Sequence, residues 1–276
     1  MNDSHDAGRT STMGSEPASF DVRGFARTAH GSLRDDLDLD AIADAGLPHE
    51  AVRAVTTLAA LEGATMAHLR NVLVTPTHKD ARVTAFLVSW AYEKYWIADA
   101  LRQVTDAAGT AEPVRPGADT AMHGRETGRG PIRRAIAGFG QGPDVIGAHL
   151  ALGRVDDLML GLAYDRLGAI ADEVPNRALA DAVARILAIK ARHAAFFETE
   201  AARRLAASPR AARLARRELR RSAWPLGSGA IPVADRRSFA RFALEGDGAT
   251  RLARGIRSLP GIDERTASRV VGRFAG

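Results

Sequence analysis

Four long segments of the chain repeat their apolar residues every three or four positions, and this spacing constrains the fold more than any other feature of the sequence. They run over 48–74, 80–104, 144–171 and 176–207. No segment alternates apolar and polar residues as a strand does, and aromatic residues make up only 5 % of the chain. The sequence therefore predicts an all-α protein whose four main helices are each roughly 35 to 45 Å long, as in large helix bundles.

The lengths of the connections predict how these helices are arranged. Short links join the first helix to the second and the third to the fourth, so each pair should form an antiparallel hairpin. Residues 105–143 separate the two pairs; they are rich in Gly, Pro and Thr, with one short helical candidate at 131–137. A connection of that length is typical of a crossover that travels the length of a bundle. We expect a disordered tail at 1–20, a four-helix bundle at 21–207 and a helical extension packed on it at 208–276.

The composition restricts the classes of function. The chain of 276 residues has no cysteine, which excludes disulfides and cysteine-ligated metal sites. No apolar run approaches the roughly 18 residues of a membrane span, and the N-terminus lacks the basic and then apolar start of a signal peptide. We therefore expect a cytoplasmic protein with no membrane partner. A small-molecule partner and a homodimer are both compatible with this composition.

Each predicted helix carries an ionisable residue near its midpoint, on the stripe that should be buried. These residues are Glu62, Glu93, Asp157, and Lys190 with His193. A buried unpaired charge costs several kcal/mol, so charges at matching depths on four helices indicate that they meet and compensate one another. The alternative is that one or two stripes are displaced by a residue. In that case Lys94, Asp156 or Arg192 marks the side that faces solvent.

At these positions the sequence resembles the ferritin-like carboxylate-bridged di-iron proteins. Their successive helices carry one Glu, then Glu-x-x-His, then one Glu, then Glu-x-x-His. Glu62 and Glu93 match the glutamates of the first two helices. Three positions depart from the pattern: Trp96 replaces a His, Asp157 replaces a Glu, and Lys190 replaces the Glu of the last motif, which reads Lys-Ala-Arg-His. The resemblance covers 48–207 and implies a ferritin-like bundle with a degenerate metal site.

The substitutions leave three alternatives for this site. In a metal-free core, the ammonium of Lys190 takes the place of a metal ion and pairs with a carboxylate of the other helices. In the second alternative, Glu93, Asp157 and His193 bind a single Fe, Mn or Zn ion. In the third, two metal ions are retained and Glu62 is also a ligand. With metal, the resemblance implies a small-molecule oxidoreductase or an active di-metal oxidase or oxygenase; without it, a binding protein.

Lys190 and Tyr164 are the candidate catalytic residues. A lysine surrounded by apolar groups has a lowered pKa and can serve as a base or a Schiff-base nucleophile, whereas neighbouring carboxylates raise that pKa and favour a plain ion pair. Tyr164 lies close to the site in helical phase, as do Tyr95 and Trp96. Aromatic residues at such positions line a ligand cavity, carry a radical or fill the core.

The C-terminal part raises a nucleic-acid alternative. Residues 203–221 are rich in arginine and contain one acid, Glu218, in a chain of formal charge +5. Residues 259–267 resemble the hairpin of a helix-hairpin-helix DNA-binding motif, but Asp263 stands at the second glycine of that motif, where a carboxylate repels phosphate. The sequence therefore favours a solvated basic helix and a hairpin packed on the bundle over nucleic-acid binding.

Overall fold

The computed structural model describes residues 20–109 and 142–276. Over these residues all regular secondary structure is helical, with no strand, so the all-α prediction is confirmed. The helical candidate at 131–137 and residues 1–19 of the predicted tail lie outside the described residues. The α-helices are α1 (Val22–Arg27), α2 (Leu39–Ala45), α3 (His49–Gly63), α4 (Thr65–Leu73), α5 (Ala81–Ala107), α6 (Asp144–Glu173), α7 (Arg177–Ala207), α8 (Pro209–Arg221), α9 (Val233–Ala243), α10 (Gly248–Arg257) and α11 (Glu264–Ala275).

Three of the four long helices begin and end close to where the sequence predicts them. Asp80 caps α5, since its carboxylate accepts a hydrogen bond from the Val83 N–H at 2.9 Å. Asn176 caps α7 in the same way, through the Leu179 N–H at 3.0 Å. Asp144 does not cap α6; it lies in the first turn and accepts a hydrogen bond from the Ser208 hydroxyl.

The predicted first helix is divided, and in this respect the prediction was wrong. α3 ends at Gly63 and α4 begins at Thr65, where one continuous helix was expected. Gly63 has a low helix propensity, so the chain readily leaves the helical path at this position. Met66 lies four residues after Glu62, so the apolar spacing of the first segment placed it on the same buried stripe. After the break it is instead 44 % exposed.

The four long elements share one core. α3 packs along α5 and α6 packs along α7, while α3 also contacts α6 and α5 contacts α7. α6 and α7 approach each other closely at Gly153, where a Cβ would lie only 2.4 Å from Cε1 of Phe197. α1 and α2 lie against α5. Among the described residues, no helix is both long and apolar enough to cross a bilayer.

The C-terminal helices cover one side of this core. α8 packs on α6, α9 contacts α3 and α6, and α11 contacts α8 and α10. The hairpin between α10 and α11 turns at Gly261, whose positive φ of 73° favours glycine. A Cβ on Gly261 would lie 2.8 Å from that of Ala212 on α8, so the turn faces α8. Asp263 accepts a hydrogen bond from the Thr266 N–H at 2.7 Å and caps α11.

Candidate functional site

The midpoint charges of α3, α6 and α7 meet in the core, where they join a second lysine on α5. The Lys190 ammonium lies 3.2 Å from Oε1 of Glu62 and 3.0 Å from Oδ1 of Asp157. The Lys94 ammonium lies 2.9 Å from Oε2 of Glu62 and 3.7 Å from Oδ2 of Asp156. We call these two lysines and three carboxylates the ammonium centre. Every member is buried.

The two ammonium groups determine the charge of this centre. Burial alone raises the pKa of Glu62, but the adjacent Lys190 and Lys94 outweigh it and lower that pKa below its usual range. Burial alone lowers the pKa of Lys190, but Glu62 and Asp157 outweigh it and raise that pKa. Lys190 is therefore a permanent cation near neutral pH. A charged ammonium group donates hydrogen bonds and has no free electron pair. The raised pKa therefore does not support the prediction that Lys190 acts as a base or nucleophile.

Tyr164 and Asp156, both on α6, connect the centre to its surroundings. The Tyr164 hydroxyl donates a hydrogen bond to Oε1 of Glu62 at 3.1 Å. Burial and the Glu62 charge raise the pKa of Tyr164, so its phenol keeps the proton. Asp156 accepts a hydrogen bond from the Leu226 N–H at 2.7 Å, which ties the C-terminal extension to the core. Burial raises the pKa of Asp156 to about 6 against the opposing effect of Lys94.

Glu93 and His193 form a separate pair. Nε2 of His193 and Oε2 of Glu93 share a hydrogen bond of 2.6 Å, and the other Glu93 oxygen accepts from the His30 N–H at 2.9 Å. Burial and the nearby cation of Lys190 hold the pKa of His193 well below its usual range, so its ring is neutral. Burial raises the pKa of Glu93. The guanidinium of Arg192 lies 3.4 Å from Glu93 and also binds backbone carbonyls of α1 and the residue that follows it.

The residues present do not fit the metal sites considered from the sequence. The single-metal alternative needs Glu93, Asp157 and His193 together, but Asp157 lies against Lys190 and only the other two are paired. Within 20–109 and 142–276, no three His, Asp or Glu side chains converge as a metal would require. The carboxylates of Glu62 and Asp157 are already neutralised by ammonium groups. The pairing of Lys190 with carboxylates of other helices, which the first alternative expects, is present, and Lys94 adds a second lysine.

An open cleft of about 300 Å³ leads to the ammonium centre between α6, α7 and α10. Lys190 and Asp157 line it together with Arg154. Its walls are mainly small and apolar, with Leu187, Ala191 and Ala194 on α7 and Leu252 on α10. An ion pair between Asp165 and Arg251 spans α6 and α10 beside it. A molecule from solvent can therefore approach Lys190 without opening the bundle.

Arg154 offers an unused hydrogen-bond donor in the cleft. One of its terminal nitrogens binds the exposed Glu198 at 2.9 Å, and the other lies 3.8 Å from Asp157. Its Nε is buried and has no hydrogen-bond partner. A buried donor without a partner costs on the order of 1 to 3 kcal/mol, which an acceptor placed in the cleft would recover.

Gly161 lines the cleft and, because it has no side chain, leaves it open. It lies inside α6, where glycine is less stable than alanine by roughly 0.5 to 1 kcal/mol. Apart from its chain neighbours and the adjacent backbone of α6, no atom of the described residues lies within 4 Å of the position that its Cβ would occupy, so packing does not require a glycine. Gly153 on the same helix differs, because Phe197 fills the space over it. The space over Gly161 belongs to the cleft.

Lys94 and Asp156 are the site residues that the sequence analysis missed. The alternative with displaced stripes assigned both of them to the solvent side, yet their exposed fractions are 2 % and 4 %. Each lies on a second buried stripe beside the predicted one. On α5 this stripe contains Leu87, Ala91, Lys94, Ala98 and Leu101, and on α6 it contains Ala148, Leu152, Asp156, Met159 and Ala163. Helices buried on two sides carry such double stripes, and this signal was present in the sequence.

Of the three aromatic residues predicted to lie near the site, only one contacts it. Tyr164 donates a hydrogen bond to Glu62 of the ammonium centre and so lies beside the site, as its helical phase predicted. Tyr95 is 50 % exposed and does not reach the site. Trp96 packs edge-on against Tyr92 and Tyr95 rather than lining the cleft.

Comparison with known proteins assigns no relative to this chain. No protein family, no curated protein and no solved structure matches it.

Proposed function

We propose that this chain is a metal-independent small-molecule-binding protein built on a remodelled ferritin-like bundle. In this proposal the ammonium groups of Lys190 and Lys94 replace the cations of the metal-binding relatives that the sequence resembles. The cleft between α6, α7 and α10 is the binding site. The observation that carries the proposal is that Lys190 belongs both to the buried charge network and to the wall of an open cleft.

The charge pattern supports a core that does not need metal. Lys190 contacts carboxylates of two other helices, and the Lys94 ammonium contacts the other carboxylate oxygen of Glu62. An ammonium group within 3.2 Å of a carboxylate supplies the positive charge that a divalent ion would otherwise contribute. Lysine binds no metal in its charged form, because it has no free electron pair.

The chemistry of the site favours binding over oxidation. A metal-dependent oxidoreductase needs open coordination positions on a held ion. Here the imidazole nitrogen of His193 that faces Glu93 is engaged in a hydrogen bond, and the neighbouring carboxylates face lysines. Small molecules usually bind in mainly apolar clefts with a few polar groups, and this cleft has that character.

Elemental analysis tests the metal-independent part of the proposal. Protein purified without chelator from cells supplemented with iron and manganese should contain no stoichiometric metal. Lys190→Glu, which restores the glutamate of the family pattern, serves as the parallel sample and should gain metal if Lys190 replaced the ion. About one ion per wild-type chain would contradict the proposal.

Fragment binding tests the cleft itself. Ligand-observed NMR with a library of neutral single-ring fragments should detect binders of the wild-type protein. Gly161→Leu places a side chain in the open space of the cleft and should abolish their binding. Gly272→Leu is the matched control, because Gly272 is also helical and open but lies on α11 outside the cleft. Equal binding by Gly161→Leu, or no binder for the wild type, would refute the cleft as a binding site.

A further inference from the structure

We infer that the ligand of the cleft is a small uncharged carbonyl compound whose oxygen accepts hydrogen bonds from Arg154 and Lys190. This inference rests on the proposed function, because it specifies what the cleft binds. It depends on three observations, which are the unused donors, the balance of charge and the apolar walls.

The unused donors require an acceptor. The Nε–H of Arg154 is buried and has no partner in the protein. The Lys190 ammonium has three N–H donors; one donates to Oε1 of Glu62 at 3.2 Å, and the ammonium pairs with Asp157 at 3.0 Å, which leaves a donor over. Both side chains line the cleft. A carbonyl oxygen has two lone pairs and can accept from both donors, whereas a ligand cation cannot accept from either.

The balance of charge disfavours a ligand anion. Four cationic side chains line or adjoin the cleft: Lys94, Lys190, Arg154 and Arg251. Five carboxylates contact them: Glu62, Asp156, Asp157, Asp165 and Glu198. Positive charge is not in surplus, so a ligand carboxylate would add an unpaired negative charge. A neutral ketone, ester or amide satisfies the donors without this cost.

The walls define the rest of the ligand. Leu158, Leu162 and Leu187 surround the opening over Gly161, and alanines of α7 continue this surface. A hydrocarbon group with the width of one ring fits a cleft of about 300 Å³ with such walls. The inferred ligand thus has an apolar body and one carbonyl oxygen directed at the ammonium centre.

Three probes with a common phenyl ring test this inference. Acetophenone carries a neutral carbonyl, ethylbenzene carries no acceptor, and benzoate carries a charge. Protein-observed NMR titration of the wild type should give a Kd for acetophenone at least roughly tenfold lower than those of the other two, as expected for hydrogen bonds to charged donors.

Variants of Arg154 identify the donor. Arg154→Lys keeps the positive charge and removes the Nε–H, and it should remove most of the preference for acetophenone over ethylbenzene. Arg154→Met should do the same if it folds. Arg102→Met, which changes an exposed arginine of α5, should leave all three affinities unchanged.

The outcomes separate this inference from the proposed function. Equal affinity for acetophenone and ethylbenzene, with binding still lost in Gly161→Leu, overturns carbonyl recognition and leaves the cleft as a binding site. Tighter binding of benzoate overturns the neutral ligand. If the fragment library finds binders but acetophenone does not bind, only the inference fails. If no fragment binds either, the proposed function fails with it.

Discussion

The two polar clusters of the core lie at similar depth and contain similar groups, but they differ in charge. In the ammonium centre, Glu62 faces two lysines, which lower its pKa against the effect of burial. In the Glu93–His193 pair, the ring is neutral and burial raises the pKa of the acid. The clusters also differ in access. The cleft reaches Lys190, whereas the ring of Phe25 packs edge-on against His193.

The difference shows that the number of opposite charges in contact with a buried acid decides the direction in which its pKa shifts. Glu62 has an ammonium group on each oxygen, so Coulomb attraction exceeds the desolvation cost. Glu93 has an imidazole that burial keeps uncharged and one arginine at 3.4 Å. Burial is equally complete for both side chains, with 0 % exposure. Charge partners therefore separate a buried glutamate whose pKa is lowered from one whose pKa is raised.

Removing the cation from the ammonium centre should have the largest effect. Lys190→Met leaves Glu62 and Asp157 with less positive charge in a buried site, and we expect it to lower the free energy of unfolding by about 3 to 5 kcal/mol. Urea denaturation followed by circular dichroism measures this change. Arg102→Met, at an exposed ion pair of α5, should change stability by less than about 1 kcal/mol. An unfolding midpoint for Lys190→Met equal to that of the wild type would refute the pairing.

A matched pair of glutamate variants tests the comparison directly. Glu62→Gln should cost about 3 to 5 kcal/mol at pH 7, because it leaves two buried ammonium groups short of a carboxylate. Glu93→Gln keeps an acceptor for the His30 N–H and removes an acid whose charged form burial already disfavours, so it should cost only about 1 kcal/mol. Since the folded pKa of Glu62 is lowered, its contribution is present above pH 4.5 and is lost as the pH falls further. Equal costs for the two variants at pH 7 would contradict the comparison.

The pH dependence of stability should differ in sign between His193 of the pair and Asp156 of the ammonium centre. The folded pKa of His193 is well below 6.5, so the unfolded chain takes up a proton first and stability is lost as the pH falls below that value. From pH 7 to 5 this amounts to about 2 kcal/mol, and His193→Gln should remove that loss. Asp156, with a folded pKa of about 6, gains stability over the same fall in pH. Asp156→Asn should therefore steepen the loss, and the opposite order of slopes in urea titrations would exclude this assignment.

The smallest effect concerns access. Gly161→Ala should stabilise the protein by roughly 0.5 to 1 kcal/mol, because its Cβ meets no atom and alanine favours the helix. Gly153→Ala should destabilise it, because the added Cβ would overlap Phe197. Thermal unfolding of both variants measures the difference. Destabilisation by Gly161→Ala would show that the space over this residue is filled and that the cleft does not open there.

Much of the fold follows from the sequence, because long amphipathic helices have a strong period. The predicted stripes of α5, α6 and α7 are buried along their length. The break at Gly63 was missed, because a single glycine within a periodic stripe is compatible with a continuous helix. Whether the core has the connections of a ferritin-like bundle stays a prediction.

The site was predictable in part. Midpoint charges identified Glu62, Asp157 and Lys190 correctly as meeting in the core. The same reasoning did not separate Glu93 and His193 from them, because helical phase does not give the distance between two residues on different helices. The prediction placed one buried stripe on each helix and so did not include Lys94 and Asp156. α5 and α6 each bury two stripes. The cleft depends on how α10 packs on α6 and α7, which is a tertiary property.

The charge state of Lys190 tests the central claim most directly. The chain has only three lysines, Lys79, Lys94 and Lys190, so labelling lysine side chains with ¹⁵N gives three signals, and Lys190→Met assigns one of them. Because its carboxylate neighbours raise its pKa, the Lys190 signal should remain that of an ammonium group from about pH 6 to about pH 10. A neutral amine at Lys190 near pH 7 would contradict the account, since the buried carboxylates would then have lost the cation that holds them.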